Sequence, residues 1–112
     1  MKIRFLYSED CPSHEEAFRR LQEILEEEGV RADVEIVRVD TFEKAEKERF
    51  PGSPTIMVDG NDICPTQNSH YSLACRAYVL EDGRISPLPS LAMIREAIRS
   101  AKESLKSTLN NP

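Results

Sequence analysis

The chain is expected to fold as an α/β domain with a mixed four-stranded sheet flanked by helices, and three observations point there. Apolar strand-like runs alternate with amphipathic helical runs from the N-terminus. A strand-helix-strand start requires a parallel pair with a right-handed crossover. Further on, the strand-turn-strand stretch at 56–80, with no helix between its strands, implies an antiparallel pair.

The elements follow in order. Residues 2–7 (KIRFLY) alternate basic and apolar before running apolar, as a strand buried on at least one face. Pro12 suits the first turn of a helix, where its missing N–H would lack a partner anyway. Ser13 and Glu16 have capping-box spacing, with Ser8 and Asp10 as rival caps. Ala17, Phe18, Leu21, Ile24 and Leu25 then share one helical face until Gly29 ends the helix.

Residues 33–39 (DVEIVRV) form the second strand, with Val34, Ile36 or Val37, and Val39 inward. The charged segment from Asp40-Thr41 to Arg49 reads as a surface helix packed by one edge through Phe42, Ala45 and Phe50. Ile56 to Val58 make the third strand, and Asp59-Gly60 a turn. Asn61 to Ser72 have no periodicity and read as a long loop. Residues 73–80 (LACRAYVL) return as the fourth strand, and Leu91, Ile94, Ala97, Ile98, Ala101 and Leu105 recur at helical spacing. Residues 1–106 thus form one domain, with 107–112 as a frayed tail.

Fifteen basic against twenty acidic side chains leave a net charge of -5, with the basic residues dispersed among glutamates, so a nucleic-acid partner is not expected. No run is long enough for a membrane span and the N-terminal apolar stretch is too short for a signal peptide, so the expected location is the cytoplasm, without membrane association. Three cysteines, Cys11, Cys64 and Cys75, cannot all pair with one another, and in a reducing compartment the default is three thiols.

Two tetrapeptides carry a resemblance. Cys11-Pro12-Ser13-His14 follows the first strand, and Gly52-Ser53-Pro54-Thr55 enters the third. In these and in its element order the chain resembles the thioredoxin-like superfamily, whose redox Cys-x-x-Cys and cis-proline lie at those places. With "CP" after the first strand, "GSPT" leading to "VDG", and a later "ACR-x-Y" at Ala74 to Tyr78, it looks like a small branch of that superfamily. The resemblance implies that Pro54 is cis and that the backbone of Ser53 pairs with an extended peptide or thiol ligand beside Cys11. Two departures limit it. His14 takes the place of the resolving cysteine, and Phe5 that of the usual buried acid, so a disulfide within the motif is ruled out.

Cys11 has a physical case of its own. The N-terminus of a helix stabilises the thiolate, which is the nucleophile. Protonated His14, one turn on, would add to this, while Glu9, Asp10, Glu15 and Glu16 oppose it through screened, solvent-exposed charge. The expected function is therefore a monothiol protein in which Cys11 forms mixed disulfides or related adducts with a thiol or disulfide partner, small molecule or protein. Ser53 and Pro54 align that partner, His14 tunes the thiolate, and glutathione serves as co-substrate. A monothiol thiol-disulfide oxidoreductase is the corresponding enzyme.

Cys64, in the loop, and Cys75, at the start of the fourth strand, are the candidate resolving thiols; they pair with each other or one reaches Cys11. The bland alternatives are an inert cap for Cys11 and a small buried strand residue for Cys75. Two other functions compete: a noncatalytic binding domain with a groove beside Pro54, and capture of a soft metal such as mercury by Cys11, Cys64 and Cys75. His70 and His14 are further candidate ligands, but the spacings match no paired zinc motif.

Overall fold

The computed structural model describes residues 1–65 and 71–110, with side chains through residue 104. Among the described residues nine elements follow one another: β1 (Lys2–Tyr7), α1 (His14–Glu27), β2 (Asp33–Arg38), α2 (Phe42–Glu48), β3 (Thr55–Val58), β4 (Asn61–Asp62), β5 (Tyr78–Val79), β6 (Ile85–Ser86) and α3 (Leu91–Asn110). Four strands form a mixed sheet in the order β2-β1-β3-β4, parallel between β1 and β2 and antiparallel elsewhere.

Side chains alternate across the pleat, so each strand feeds two cores. Ile3 and Phe5 of β1 and Ile56 and Val58 of β3 face α1 and α3, meeting Ala17, Leu21, Ile24, Ile94 and Ile98. On the opposite face Leu6 and Val37 pack with Val39, Ala45 and Phe50 beneath α2. The register Phe5↔Ile36 and Leu6↔Val37 settles the open choice in β2: Val37 is buried, whereas Ile36 is 57% exposed at the edge. Thr41 caps α2 by accepting from the Lys44 N–H at 3.1 Å, and Arg4 reaches across to Glu48 at 2.8 Å.

Several expectations need correction. The fourth strand is not 73–80 but Asn61–Asp62, because Asp59 (φ 49°) and Gly60 (φ 85°) make a two-residue turn that folds the chain straight back onto β3. Only Tyr78–Val79 of the 73–80 segment is strand, and it pairs with β6 in a separate ribbon. The capping box does not form. Ser13 occupies the N-cap in helical conformation (φ -75°, ψ -8°) rather than the extended one usual for a capping side chain, and it makes no side-chain cap bond. Phe42 is 67% exposed and does not join the core beneath α2. The last helix runs from Leu91 to Asn110. Part of the long loop, residues 66–70, lies outside the described residues, and so does His70.

Candidate functional site

The site forms where the C-terminal end of β1 meets the start of β3. After Tyr7 the chain turns, with the Cys11 N–H donating to the Ser8 carbonyl at 3.1 Å and the Asp10 N–H to the Ser8 hydroxyl at 3.3 Å. This turn delivers Cys11 to the interior, fully buried, before α1 begins at His14.

Ser53 ties the site together. Its hydroxyl accepts from the Ser8 N–H at 2.9 Å, which fixes the turn that carries Cys11. Its own N–H donates to the Ala74 carbonyl at 2.9 Å, and its carbonyl accepts from the Arg76 N–H at 2.8 Å. Residues 74–76 therefore lie along Ser53 as a one-residue parallel bridge. The Ser53–Pro54 peptide bond is cis. The backbone that the resemblance assigns to a ligand is thus occupied by this chain's own segment.

That segment brings Cys75 to Cys11, and the two form a disulfide with a Cα–Cα distance of 5.2 Å and a sequence separation of 64. This corrects the reading of Cys11 as a one-thiol site and of Cys75 as a buried strand residue. Cys75 is exposed, held by the irregular chain before β5, whereas Cys11 is wholly enclosed, with its sulfur 3.5 Å from the Ser53 carbonyl oxygen. Cys64 remains a free, half-buried thiol, so of the two candidate resolving thiols only Cys75 is bonded to Cys11.

His14 engages the cysteine through its backbone. Its Nδ1 lies 2.8 Å from the Cys11 carbonyl oxygen, which only accepts, so Nδ1 carries the proton; the ring stacks on Tyr7 with centroids 4.6 Å apart. These two contacts hold the ring against the turn that carries Cys11.

The residue that sequence reasoning missed is Arg76, which is 4% exposed. Its Nη1 reaches Asp62 at 3.0 Å, the Thr55 hydroxyl at 3.3 Å and the Tyr78 hydroxyl at 3.4 Å, while Nη2 donates to the Cys64 carbonyl. Its guanidinium carbon stands 4.7 Å from the Tyr78 ring centre. Burial opposes its charge, but Tyr78, Asp62 and Cys64 outweigh it and raise its pKa. Burial likewise pushes the Tyr78 hydroxyl well above its ordinary pKa against the lowering effect of Arg76, so it stays a donor, to the Pro54 carbonyl at 2.5 Å. A cation inside the otherwise apolar run LACRAYVL was the available signal.

With Cys11 and Cys75 joined, neither offers a thiolate to a metal in this form, and among the described residues no cluster of three or more His, Cys, Asp or Glu side chains is arranged to hold one. No helix among them is long and apolar enough to cross a membrane.

The molecule is a mixed α/β domain carrying a disulfide between its first strand-to-helix turn and a segment bridged to the entry of its third strand. Comparison with protein-family models, with curated proteins and with solved structures finds no match in any of the three.

Proposed function

We propose that this is a thioredoxin-like thiol-disulfide exchange protein whose redox couple is Cys11 and Cys75. The observation that carries the reading is the disulfide itself, which joins the cysteine before α1 to an exposed cysteine strapped beside Pro54. Three further features support it. The sheet has α1 and α3 on one face and α2 on the other; the Ser53–Pro54 bond matches the resemblance stated above; and Ser53 holds both cysteine-bearing segments through its side chain and its backbone. Its partners are thiols and disulfides, either small molecules such as glutathione or cysteines of other proteins, and its place is the cytoplasm, where such a bond cycles rather than serving as a permanent crosslink.

The test is equilibration in buffers of graded glutathione to glutathione-disulfide ratio, followed by acid quench, alkylation and mass spectrometry of each cysteine. Cys11 and Cys75 should become alkylated together at one characteristic ratio, with Cys64 titrating separately from the pair. A Cys11 that is alkylated independently of Cys75, or a pair that never exchanges, refutes the reading.

A further inference from the structure

We infer that the thiol entering this disulfide attacks Cys75, and that Cys11 is the leaving and returning thiol, the reverse of the order expected from the sequence. The inference deepens the proposed exchange reaction and rests on it. An attacking thiolate must approach along the S–S axis from the far side of the sulfur it bonds, so access decides which sulfur is taken. Cys11 has no exposed surface, and its sulfur is backed by the Ser53 carbonyl at 3.5 Å. Cys75 is exposed, and so are its neighbours Ala74 and Ala77, while Arg76 and Tyr78 point inward as anchors.

The step balances without an outside oxidant. A thiolate RS⁻ forms a bond to the Cys75 sulfur as the Cys75–Cys11 bond breaks, and the electron pair leaves on Cys11. Cys11 then takes up one proton, balancing the one RSH lost in becoming the thiolate, and, as a thiol, can donate it to the Ser53 carbonyl beside it. A second thiolate attacks the sulfur of R, releasing RSSR and the Cys75 thiolate, so two thiols are oxidised as the protein disulfide is reduced. Between these steps the Ser53 N–H to Ala74 and Arg76 N–H to Ser53 bonds, at 2.9 and 2.8 Å, keep the mixed disulfide on Cys75 next to Cys11. Cys11 can then return and expel RSH. Cys75 is the entry sulfur, and Cys11 resolves.

Two measurements test the order. In the first, the oxidised protein receives limiting glutathione, is acid-quenched, and is alkylated with N-ethylmaleimide before peptide mapping; Cys64→Ser is run alongside to remove the third thiol from exchange. Glutathione is expected on Cys75 and N-ethylmaleimide on Cys11, in at least about tenfold excess over the reverse pattern. In the second, reduced Cys11→Ser and Cys75→Ser, each checked for native circular dichroism, react with glutathione disulfide. Cys75 in Cys11→Ser should be modified at least about tenfold faster than Cys11 in Cys75→Ser. Glutathione on Cys11, or equal rates in the two variants, overturns the order and leaves the exchange reading standing. If excess glutathione releases no thiol from the oxidised protein, both fall.

Discussion

Replacing Arg76 with methionine probes the anchor that holds the Cys75 segment in place. The substitution keeps most of the buried volume and removes a guanidinium that bonds Asp62, Thr55, Tyr78 and the Cys64 carbonyl. Asp62, whose side chain is only 17% exposed, would lose its cationic partner and keep the Cys64 N–H at 2.9 Å. Leaving one charge of a buried pair uncompensated costs about 3 kcal/mol, at the lower end of the usual range because Asp62 retains that bond and some contact with water. A chain of this length has an unfolding entropy near 0.24 kcal/mol/K, so the loss corresponds to a fall of about 13 °C in Tm. Thermal unfolding followed by circular dichroism at neutral pH, with the disulfide intact in both proteins, measures it directly. Arg76→Lys should recover only part of the loss, because one ammonium cannot replace a planar fork spread over four acceptors. A Tm within about 2 °C of wild type for Arg76→Met would show that the network does not anchor the segment.

Three other outcomes are expected. Gly52→Ala should destabilise by about 1–3 kcal/mol in urea unfolding, since Gly52 has φ +147° and an added Cβ would stand 3.0 Å from the Arg76 Cα; an unchanged midpoint contradicts the close approach. Reducing the disulfide removes the crosslink from the unfolded chain, and closing a loop of 64 residues is worth about 4 kcal/mol, so Tm in a phosphine reductant should drop by well over 10 °C. Stability should fall on acidification. Hydrogen bonds from Arg4 to Glu48, from Arg95 to Glu27 and from Arg99 to Glu28 hold these carboxyls below their ordinary pKa against the opposing effect of burial. Groups lowered in the folded state contribute fully above the unfolded carboxylate pKa and lose that contribution as pH falls through the lowered values. The urea midpoint should therefore be lower at pH 3 than at pH 7, and an equal or higher value would contradict the linkage.

Much of the frame is readable residue by residue. Periodicity finds the buried faces of α1 and α3, alternation finds Ile3, Phe5 and Ile56, and the Asp59-Gly60 pair places the hairpin turn. Local pattern fails in β2, where alternate residues are apolar on both faces and only the pairing with β1 buries Val37 while leaving Ile36 at the edge. It fails again at residues 73–80. Their apolar, β-favouring composition suits a central strand, yet the short Asn61–Asp62 return has already taken the position beside β3. Displaced from the sheet, the segment lays Ala74, Cys75 and Arg76 against Ser53 instead.

What the sequence determined by itself is the alternation of strands and helices, the placement of Cys11 in the turn before α1, and the absence of a second cysteine from that turn. These are matters of near neighbours, governed by side-chain period and turn chemistry. Only the tertiary structure decided that Cys11 is enclosed, that its bonded partner is Cys75 rather than Cys64, and that Ser53 and Arg76 hold the two together. Those pairings join residues separated by 64 and 42 positions, and they exist only because the sheet and its packed layers bring the two segments to one place.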